Sequence, residues 1–301
     1  MSSNTALDTI AILYPGDMGH AVGRVLGDHG HEVITCLKGR TERSHKLAVA
    51  GNIRVVESLQ ALVREASLIL SILPPAAAIK LARSVADAMK ETSSFPVYVD
   101  CNAISPDTAA QVGEIITSAG AVFIDGGIIG LAPGKSSATR FYVSGADTRP
   151  MESLDGKGFV VRAIGDKVGQ ASGLKMCYAG LTKGTFTLHT AVLIAAERMG
   201  LSAELRDEFI ESQSDTYSKM QVRVPKIPAD SGRWIGEMEE IARTFASVGV
   251  PSGFHEGAAE ILRVLSRTPY AEETRENLDM SRTLEEAIPV YAAHLDKDGK
   301  T

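Results

Sequence analysis

The sequence lacks the features that mark several large classes of protein. Its 37 acidic residues outnumber 31 lysines and arginines, and the net charge of -6 offers no broad basic field to nucleic acid or an anionic membrane. No apolar run approaches the roughly 18 residues of a membrane-spanning helix. The opening MSSNTALD has no basic region ahead of an apolar segment. We therefore expect no membrane anchor, no secretion signal and a small molecule as the partner.

Cysteine is scarce and spaced in a way that does not suit structural chemistry. The three cysteines, Cys36, Cys101 and Cys177, lie far apart without C-x-x-C spacing, and two of them fall in apolar runs typical of strands. This pattern predicts neither a disulfide framework nor a metal site. We expect the reducing cytoplasm to be the natural location.

A length of 301 residues leaves room for two domains. Patterns typical of strands and helices alternate in the first half, and only helical patterning follows. The sequence predicts an α/β protein, with a doubly wound Rossmann domain over residues 1–167 and an all-α domain over residues 168–301. A long interdomain helix from Val168 to Met199 should join them. We expect a homodimer, because the helical half presents many apolar faces.

The first predicted strand, TIAILY at 9–14, ends in a glycine turn before a helical pattern. This order places backbone N–H groups and the positive end of a helix dipole where a pyrophosphate can bind. Tyr14 stands at the first glycine of the G-x-G-x-x-G fingerprint, so an ordinary turn between strand and helix is the alternative. The residues predicted here to bind a cofactor are Tyr14, Pro15, Gly16, Asp17, Met18 and Gly19.

The second predicted strand, HEVITCL at 31–37, is followed by no acid. An NAD site usually has Asp or Glu there for the ribose 2′-OH, whereas cationic and hydroxyl-bearing residues suit a 2′-phosphate. NADP(H) is therefore the predicted cofactor, and a solvated basic helix start is the alternative. The residues assigned to this part of the site are Lys38, Arg40, Thr41 and Arg43.

Two further strand ends point to the same edge of the predicted sheet. SLILSIL at 67–73 runs into Pro74, and VYVD at 97–100 runs into Cys101 and Asn102. Ligands of open parallel sheets lie beyond the carboxyl ends of the strands, so we expect Leu73, Pro74 and Asn102 near the cofactor. Ser105 followed by Pro106 is typical of a helix start.

A stretch rich in small residues opens the predicted long helix. Gly169, Ala171, Ser172 and Gly173 let its backbone lie close to a neighbour or a ligand, and Lys175 follows in the first turns. A lysine in that place can reach a bound substrate. The alternative is a solvated lysine on a tightly packed helix.

In the C-terminal half, apolar residues at helical spacing predict amphipathic helices near 234–248, 254–265 and 284–295. Pro289 should kink or shorten the last of them. VPKIPADSG at 224–232 is the clearest loop signal, with two prolines and a glycine. His189 is expected to be a packed residue or a surface residue rather than a ligand.

Taken together, these motifs resemble the β-hydroxyacid dehydrogenase superfamily, which includes 3-hydroxyisobutyrate, tartronate semialdehyde and 6-phosphogluconate dehydrogenases, with imine reductases as relatives. PGDMG is similar to the cofactor loop of the family and GRT at 39–41 to its Asn-Arg-Thr signature for NADP. DCNAISP is similar to its substrate loop, GLK at 173–175 to its catalytic lysine, and GEMEEIARTFASVGVP to its C-terminal Lys-Asp segment. More narrowly, the motifs resemble a 6-phosphogluconate-dehydrogenase-like branch.

The resemblance implies an NADP-dependent oxidoreductase that acts on a secondary alcohol or ketone, with Lys175 as general acid and base. It also implies substrate-binding positions, which are Asn102, Ala103, Ile129, Gly130, Tyr178, Trp234 and Glu237. Ile129, Ala179 and Gly236 replace polar residues of the family. We therefore expect a substrate that is bulkier or less charged than a small hydroxy acid. An imine or ketimine reductase, and an NADP(H)-binding protein without turnover, remain open alternatives.

Overall fold

Short apolar runs that end in glycine or proline turns build the strands of the first half. The computed structural model describes residues 9–134, 139–274 and 276–295. The chain divides into two compact units, Met1–Met176 and Cys177–Thr301. The first unit is a Rossmann-like domain and the second is helical, as the sequence predicted. The division falls within the long helix, slightly after the boundary expected at residue 167.

Eight strands form one sheet in the order β3-β2-β1-β4-β5-β6-β7-β8. Every neighbouring pair is parallel except β6 and β7, which run antiparallel. The strands are β1 Thr9–Leu13, β2 Glu32–Cys36, β3 Arg54–Val56, β4 Leu68–Ser71, β5 Val97–Asp100, β6 Phe123–Ile129, β7 Arg140–Ser144 and β8 Val160–Gly165.

Helices connect these strands and make up the second unit. Those that begin before residue 168 are α1 Asp17–Asp28, α2 Glu42–Ala50, α3 Leu59–Glu65, α4 Ala78–Thr92, α5 Pro106–Ala119 and α6 Arg149–Glu152. Those that follow are α7 Gln170–Met199, α8 Ser202–Ser212, α9 Ser214–Arg223, α10 Pro228–Ser247, α11 Gly253–Ser266 and α12 Leu284–Ala293. None of the helices in the described residues is both long and apolar enough to span a bilayer.

The central strands β1, β4, β5 and β6 are buried on both faces, as expected for strands of a mostly parallel sheet that helices cover on both sides. Ala11 and Leu13 of β1 face one apolar core, and Ile10 and Ile12 face the other. Successive side chains of a strand point to opposite faces, so helices must cover both. This layering leaves the carboxyl ends of the strands as the edge at which turns, caps and polar side chains gather.

The segment 224–232 is not a loop, so that prediction was wrong. Val224–Lys226 forms a 3₁₀ turn, and α10 begins at Pro228. Pro225 and Pro228 both stand in first turns, where a missing N–H costs no helical hydrogen bond. The prolines therefore mark helix starts.

Pro289 lies inside α12, which ends at Ala293, short of the expected Leu295.

Candidate cofactor and proton-transfer site

The glycine turn joins β1 to α1 as the fingerprint requires. Gly16 is the N-cap of α1 and has no side chain with which to cap it, and no atom lies within 4 Å of a Cβ built at this position. The space beside Gly16, at the N-terminus of α1, is therefore open to an anion. A Cβ at Gly19 would lie 2.8 Å from the carbonyl oxygen of Tyr14. Glycine at that position lets the helix lie close against the end of β1.

The cationic residues after β2 lie beside this turn. The Arg43 guanidinium is 2.7 Å from the Asp17 carboxylate in the first turn of α1. The Thr41 hydroxyl caps α2 and accepts a hydrogen bond from the Ser44 N–H at 3.3 Å. Lys38, like Arg40, is exposed. The structure thus places these predicted residues together at the ends of β1 and β2.

Arg40 and Tyr14 form a stacked pair. The guanidinium carbon of Arg40 stands 3.6 Å from the centroid of the Tyr14 ring. Tyr14 is partly buried against the apolar core, and this burial raises the pKa of its phenol, while the Arg40 charge opposes the shift. The side chain that replaces a fingerprint glycine is therefore a platform for the predicted NADP-binding arginine.

Asn102 joins the ends of β4 and β5. Its side-chain oxygen accepts a hydrogen bond from the Leu73 N–H at 2.7 Å, and its amide nitrogen donates to Ser71 at 3.1 Å and to Asp100 at 2.9 Å. Only 2% of Asn102 is exposed. Its amide is engaged within the protein on both sides, so its direct effect is to fix the loop that carries Leu73. Pro74 in that loop is exposed, and the backbone of Ala103 follows directly.

Two carboxylates that sequence reasoning did not single out lie opposite each other in the sheet, Asp100 as the last residue of β5 and Asp125 as the third residue of β6. Asp100 pairs in register with Asp125, and both are buried. Burial raises the pKa of Asp100 to about 7, and the neighbouring Asp125 adds to the rise, while hydrogen bonds from Asn102 oppose it. In the sequence, each of the two acids directly follows an apolar run, VYV before Asp100 and AVFI before Asp125. This shared pattern is the sequence signal that could have indicated a buried pair of acids.

Asp125 holds the start of α7. One of its oxygens accepts hydrogen bonds from the N–H groups of Gly169 at 2.9 Å and Ser172 at 3.1 Å, and from the Ser144 hydroxyl at 3.0 Å. The other oxygen accepts from the Ser172 hydroxyl at 2.5 Å. The Ala171 N–H donates to Ser144 at 3.0 Å. A buried anion at a helix N-terminus satisfies otherwise unpaired N–H groups and is favoured by the helix dipole.

This anchored helix carries Lys175 to the end of β6. The amino group of Lys175 is half-buried and donates a hydrogen bond to the carbonyl oxygen of Ile128 at 2.6 Å. A Cβ at Gly127 would lie 2.8 Å from the carbonyl oxygen of Ala171 and 3.0 Å from the Cβ of Lys175. The small residues of this region therefore bring α7 against the strand. Lys175 lies at the carboxyl edge of the sheet.

The remaining predicted substrate residues lie in different settings. Ile129 is buried at the end of β6, and Gly130 is exposed with φ of 114°. Tyr178 is 46% exposed on α7. In the second unit, Trp234 and Glu237 belong to a charged cluster on α10.

Glu237 is the centre of that cluster. It is buried, forms an ion pair with Lys183, and lies 2.5 Å from the Arg233 guanidinium. The Lys183 amino group stands 5.4 Å from the centre of the Trp234 ring. Sequence reasoning did not single out Lys183, because a lone lysine within a helix carries no motif.

A search for metal ligands in the described residues found no group of three or more His, Cys, Asp or Glu side chains that could hold an ion. His189 lies buried on α7, with its pKa lowered mainly by desolvation. The polar chemistry of the first unit is therefore that of the glycine turn, the cations, the buried acids and Lys175.

Comparison with known proteins agrees with this geometry. Residues 9–168 match the family model described as the NAD binding domain of 6-phosphogluconate dehydrogenase. The chain belongs to the β-hydroxyacid dehydrogenase superfamily. Residues 196–265 match a second model, described as a domain of unknown function (DUF1932). The predicted superfamily and fold are confirmed, and the first match supports a nicotinamide cofactor.

Individual relatives share this fold along most of the chain. A probable 3-hydroxyisobutyrate dehydrogenase of Mycobacterium bovis is 27% identical over 205 residues, which cover 66% of this chain and 67% of that protein. The structure of 3-hydroxyisobutyrate dehydrogenase from Mycobacterium tuberculosis with L-serine has a TM-score of 0.67 at 20% identity, covering 93% and 98% of the two chains. The imine reductase of Bacillus cereus has a TM-score of 0.54 at 18% identity, covering 90% and 97%. At these identities, the structural likeness shows a common fold.

Proposed function

We propose that this protein is an NADP-dependent dehydrogenase or reductase that transfers hydride between NADP(H) and a small-molecule secondary alcohol or ketone. The observation that carries the proposal is the placement of Lys175. Its half-buried amino group is held at the carboxyl edge of the nucleotide-binding sheet by an anchored helix and by the Ile128 carbonyl. A lysine held in this way is suited to general acid and base chemistry.

The residues of the first unit fit the proposed cofactor. The N–H groups after Gly16 would hold the pyrophosphate, and Arg40, with Thr41 and Lys38 beside it, would hold a 2′-phosphate. None of residues 37–41, which directly follow β2, is an acid that could bind a free 2′-hydroxyl. When bound, the nicotinamide supplies hydride transfer at C4. We expect Leu73 and Pro74 to border it.

Lys175 would manage the proton that accompanies hydride transfer. During oxidation, its neutral amine takes the proton of the substrate hydroxyl, and during reduction its ammonium gives a proton to the carbonyl oxygen. The hydrogen bond to Ile128 orients the amino group. Asp125 would affect proton transfer only indirectly, because it fixes the first turn of α7, the helix that carries Lys175.

A second candidate is an imine or ketimine reductase. Tyr178 lies one turn after Lys175 on α7 and is 46% exposed, so either side chain could donate a proton to a C=N bond. The likeness to imine reductases in fold is consistent with this reading. An NADP(H)-binding protein without turnover is disfavoured by the retained lysine.

We further propose that the substrate is bulkier or less charged than a small hydroxy acid. Ile129, Ala179 and Gly236 supply no charge for a carboxylate, and a buried carboxylate without partners is costly. Ile129 and Leu131 supply apolar side chains at and just after the end of β6, which favours an apolar substituent. Turnover of 3-hydroxyisobutyrate or 6-phosphogluconate with kcat/KM above about 10⁴ M⁻¹s⁻¹ would contradict this.

The proposal is tested by a substrate panel with both nicotinamides, followed by substitution of the lysine. The panel holds hydroxy acids, sugar acids, amino alcohols, aryl ketones and cyclic imines. On the best substrate, Lys175→Met should lower kcat by roughly 10²–10⁴ and leave the Kd for NADPH nearly unchanged. Lys167→Met, an exposed lysine shortly before α7, is the matched control. Normal turnover by Lys175→Met would refute the assignment.

We also propose a cytoplasmic homodimer. Helix α8 buries none of its residues within the chain, and Leu201 and Ile210 are 46% and 54% exposed. A second subunit would cover such apolar surface. Light scattering after gel filtration should give twice the 32.0 kDa of one chain, and a monomeric mass would contradict the proposal.

A further inference from the structure

Tyr14, which replaces the first glycine of the fingerprint, lies against Arg40. The Arg40 guanidinium stands over the Tyr14 ring, 3.6 Å from its centroid. Among the described residues, Arg40 has no carboxylate partner within ion-pair distance, unlike Arg43, which pairs with Asp17. Tyr14 is itself held in place by the apolar core at the ends of the strands. The ring is thus a surface packed on the core, and the arginine is a charge for which the described part of the chain supplies no carboxylate counter-ion.

A guanidinium can stack on a ring and donate hydrogen bonds at the same time, because it uses different parts of its surface for each contact. Its flat faces stack on aromatic rings, whereas its five N–H donors lie in the plane and point outward from the edge. A ring beneath the face therefore leaves the donors available for a phosphate, which accepts two of them side by side. The stack also removes much of the rotamer freedom that a free arginine would lose on binding.

We propose that Tyr14 is a specificity-determining residue that holds Arg40 with its donor edge toward the 2′-phosphate of the cofactor. The inference rests on the proposed NADP site. Tyr14 acts through Arg40, so it should strengthen binding of ligands that carry the 2′-phosphate and leave ligands without it almost unaffected. The face of the ring is what matters, and its hydroxyl is not required.

The test uses two small probes that involve no turnover, 2′,5′-ADP and 5′-AMP, titrated by calorimetry. Tyr14→Leu should weaken 2′,5′-ADP binding by about 5–30-fold, the range for an aromatic contact of 1–2 kcal/mol, and change 5′-AMP binding by less than about 2-fold. Tyr14→Phe keeps the ring face and should retain wild-type affinity for both probes. In a double-mutant cycle with Arg40→Ala, the two losses should be clearly less than additive.

The chain offers a matched control pair in the same unit. Arg162 stands over Tyr142 at 5.9 Å, away from the glycine turn, so Tyr142→Leu should change neither affinity. Arg40→Lys keeps the charge but removes the planar face, and it should lose 2′,5′-ADP affinity as Tyr14→Leu does. This second variant tests the stack even if Tyr14→Leu does not fold.

The outcomes separate the inference from the proposal beneath it. A wild-type preference for 2′,5′-ADP that survives unchanged in Tyr14→Leu or Arg40→Lys would overturn the role of the stack and leave the NADP site standing. Equal losses of both probes in Tyr14→Leu would show a general disturbance of the site and would also overturn it. Wild-type affinities that are equal for the two probes would instead contradict the NADP proposal itself.

Discussion

The two ends of the sheet edge handle charge in opposite ways. After β1 and β2, Lys38, Arg40 and Arg43 are exposed, and the space beside Gly16 is open. On β5 and β6, Asp100 and Asp125 are buried, and their hydrogen bonds go to protein groups. One end is the site proposed to receive an anion, and the other uses the Asp125 carboxylate to hold the start of the helix that carries Lys175.

The largest test of this contrast is Asp125→Asn. The Asp125 carboxylate now accepts hydrogen bonds from Gly169, Ser144 and Ser172. In the variant, the amide N–H groups would face some of these donors, and those hydrogen bonds would be lost. Loss of a buried, multiply bonded anion should lower the free energy of unfolding by about 3–5 kcal/mol. NADPH affinity should change by less than about 3-fold, while kcat falls because Lys175 is no longer held.

Urea unfolding and NADPH titration of the same preparation measure both effects of Asp125→Asn. The matched control is Asp28→Asn, an exposed acid at the end of α1, which should change the free energy of unfolding by less than about 0.5 kcal/mol. A variant that is as stable as the wild type would show that the buried end does not depend on its anion.

Asp100 gives the buried end a dependence on pH. Its folded-state pKa of about 7 lies above the ordinary value of 3.8, so the folded protein binds the proton more tightly than the unfolded chain. The stability from this group is therefore present at low pH and is lost as pH rises from about 4 to about 7. Between about pH 5 and pH 8, the loss should be on the order of 3 kcal/mol.

Asp100→Asn should remove that slope, because an amide resembles the protonated acid and does not titrate. Urea unfolding of wild type and variant at the two pH values measures the difference, with Asp28→Asn as the control. Parallel losses in wild type and Asp100→Asn would mean that another group carries the dependence.

The sequence predicted the exposed end better than the buried end. Tyr14–Gly19 and Arg40–Arg43 follow strands within short, local motifs, and such motifs are readable because the backbone itself brings the residues together. Asp125 and Ser172 meet across 47 positions, so their partnership depends on packing that no local pattern encodes. Contact of Asn102 with a ligand stays a prediction, and in the fold its amide joins the ends of β4 and β5. Pro225 and Pro228 predicted a loop, but in the fold they lie in the first turns of a 3₁₀ turn and of α10.

Arg40→Ala tests the exposed end. A charge-assisted contact to phosphate is worth about 1.5–3 kcal/mol, so NADPH affinity should fall by roughly 10–10²-fold. NADH affinity and the melting temperature should stay nearly constant, because Arg40 is exposed and contributes little to the core. This is the reverse of the pattern expected for Asp125→Asn. Titration of both cofactors into wild type, Arg40→Ala and the control Arg162→Ala would decide it. Equal affinities of the wild type for NADPH and NADH would contradict the assignment of Arg40 to the 2′-phosphate. A preference for NADPH that Arg40→Ala does not reduce would contradict it as well.

The smallest expected effect belongs to Arg43. Its bond to Asp17 at 2.7 Å joins side chains that are 43% and 33% exposed, so its contribution to stability should be below about 1 kcal/mol. The bond matters more for the ligand, because Asp17 places a negative charge in the first turn of α1, beside the N–H groups proposed to meet the pyrophosphate. Arg43→Ala should therefore weaken NADPH and NADH by the same small factor, about 2–5-fold, and more salt should reduce the difference. Adding Asp17→Asn to Arg43→Ala should restore affinity for both cofactors. A selective loss of NADPH in Arg43→Ala would show instead that Arg43 itself contacts the 2′-phosphate and shares the role assigned to Arg40.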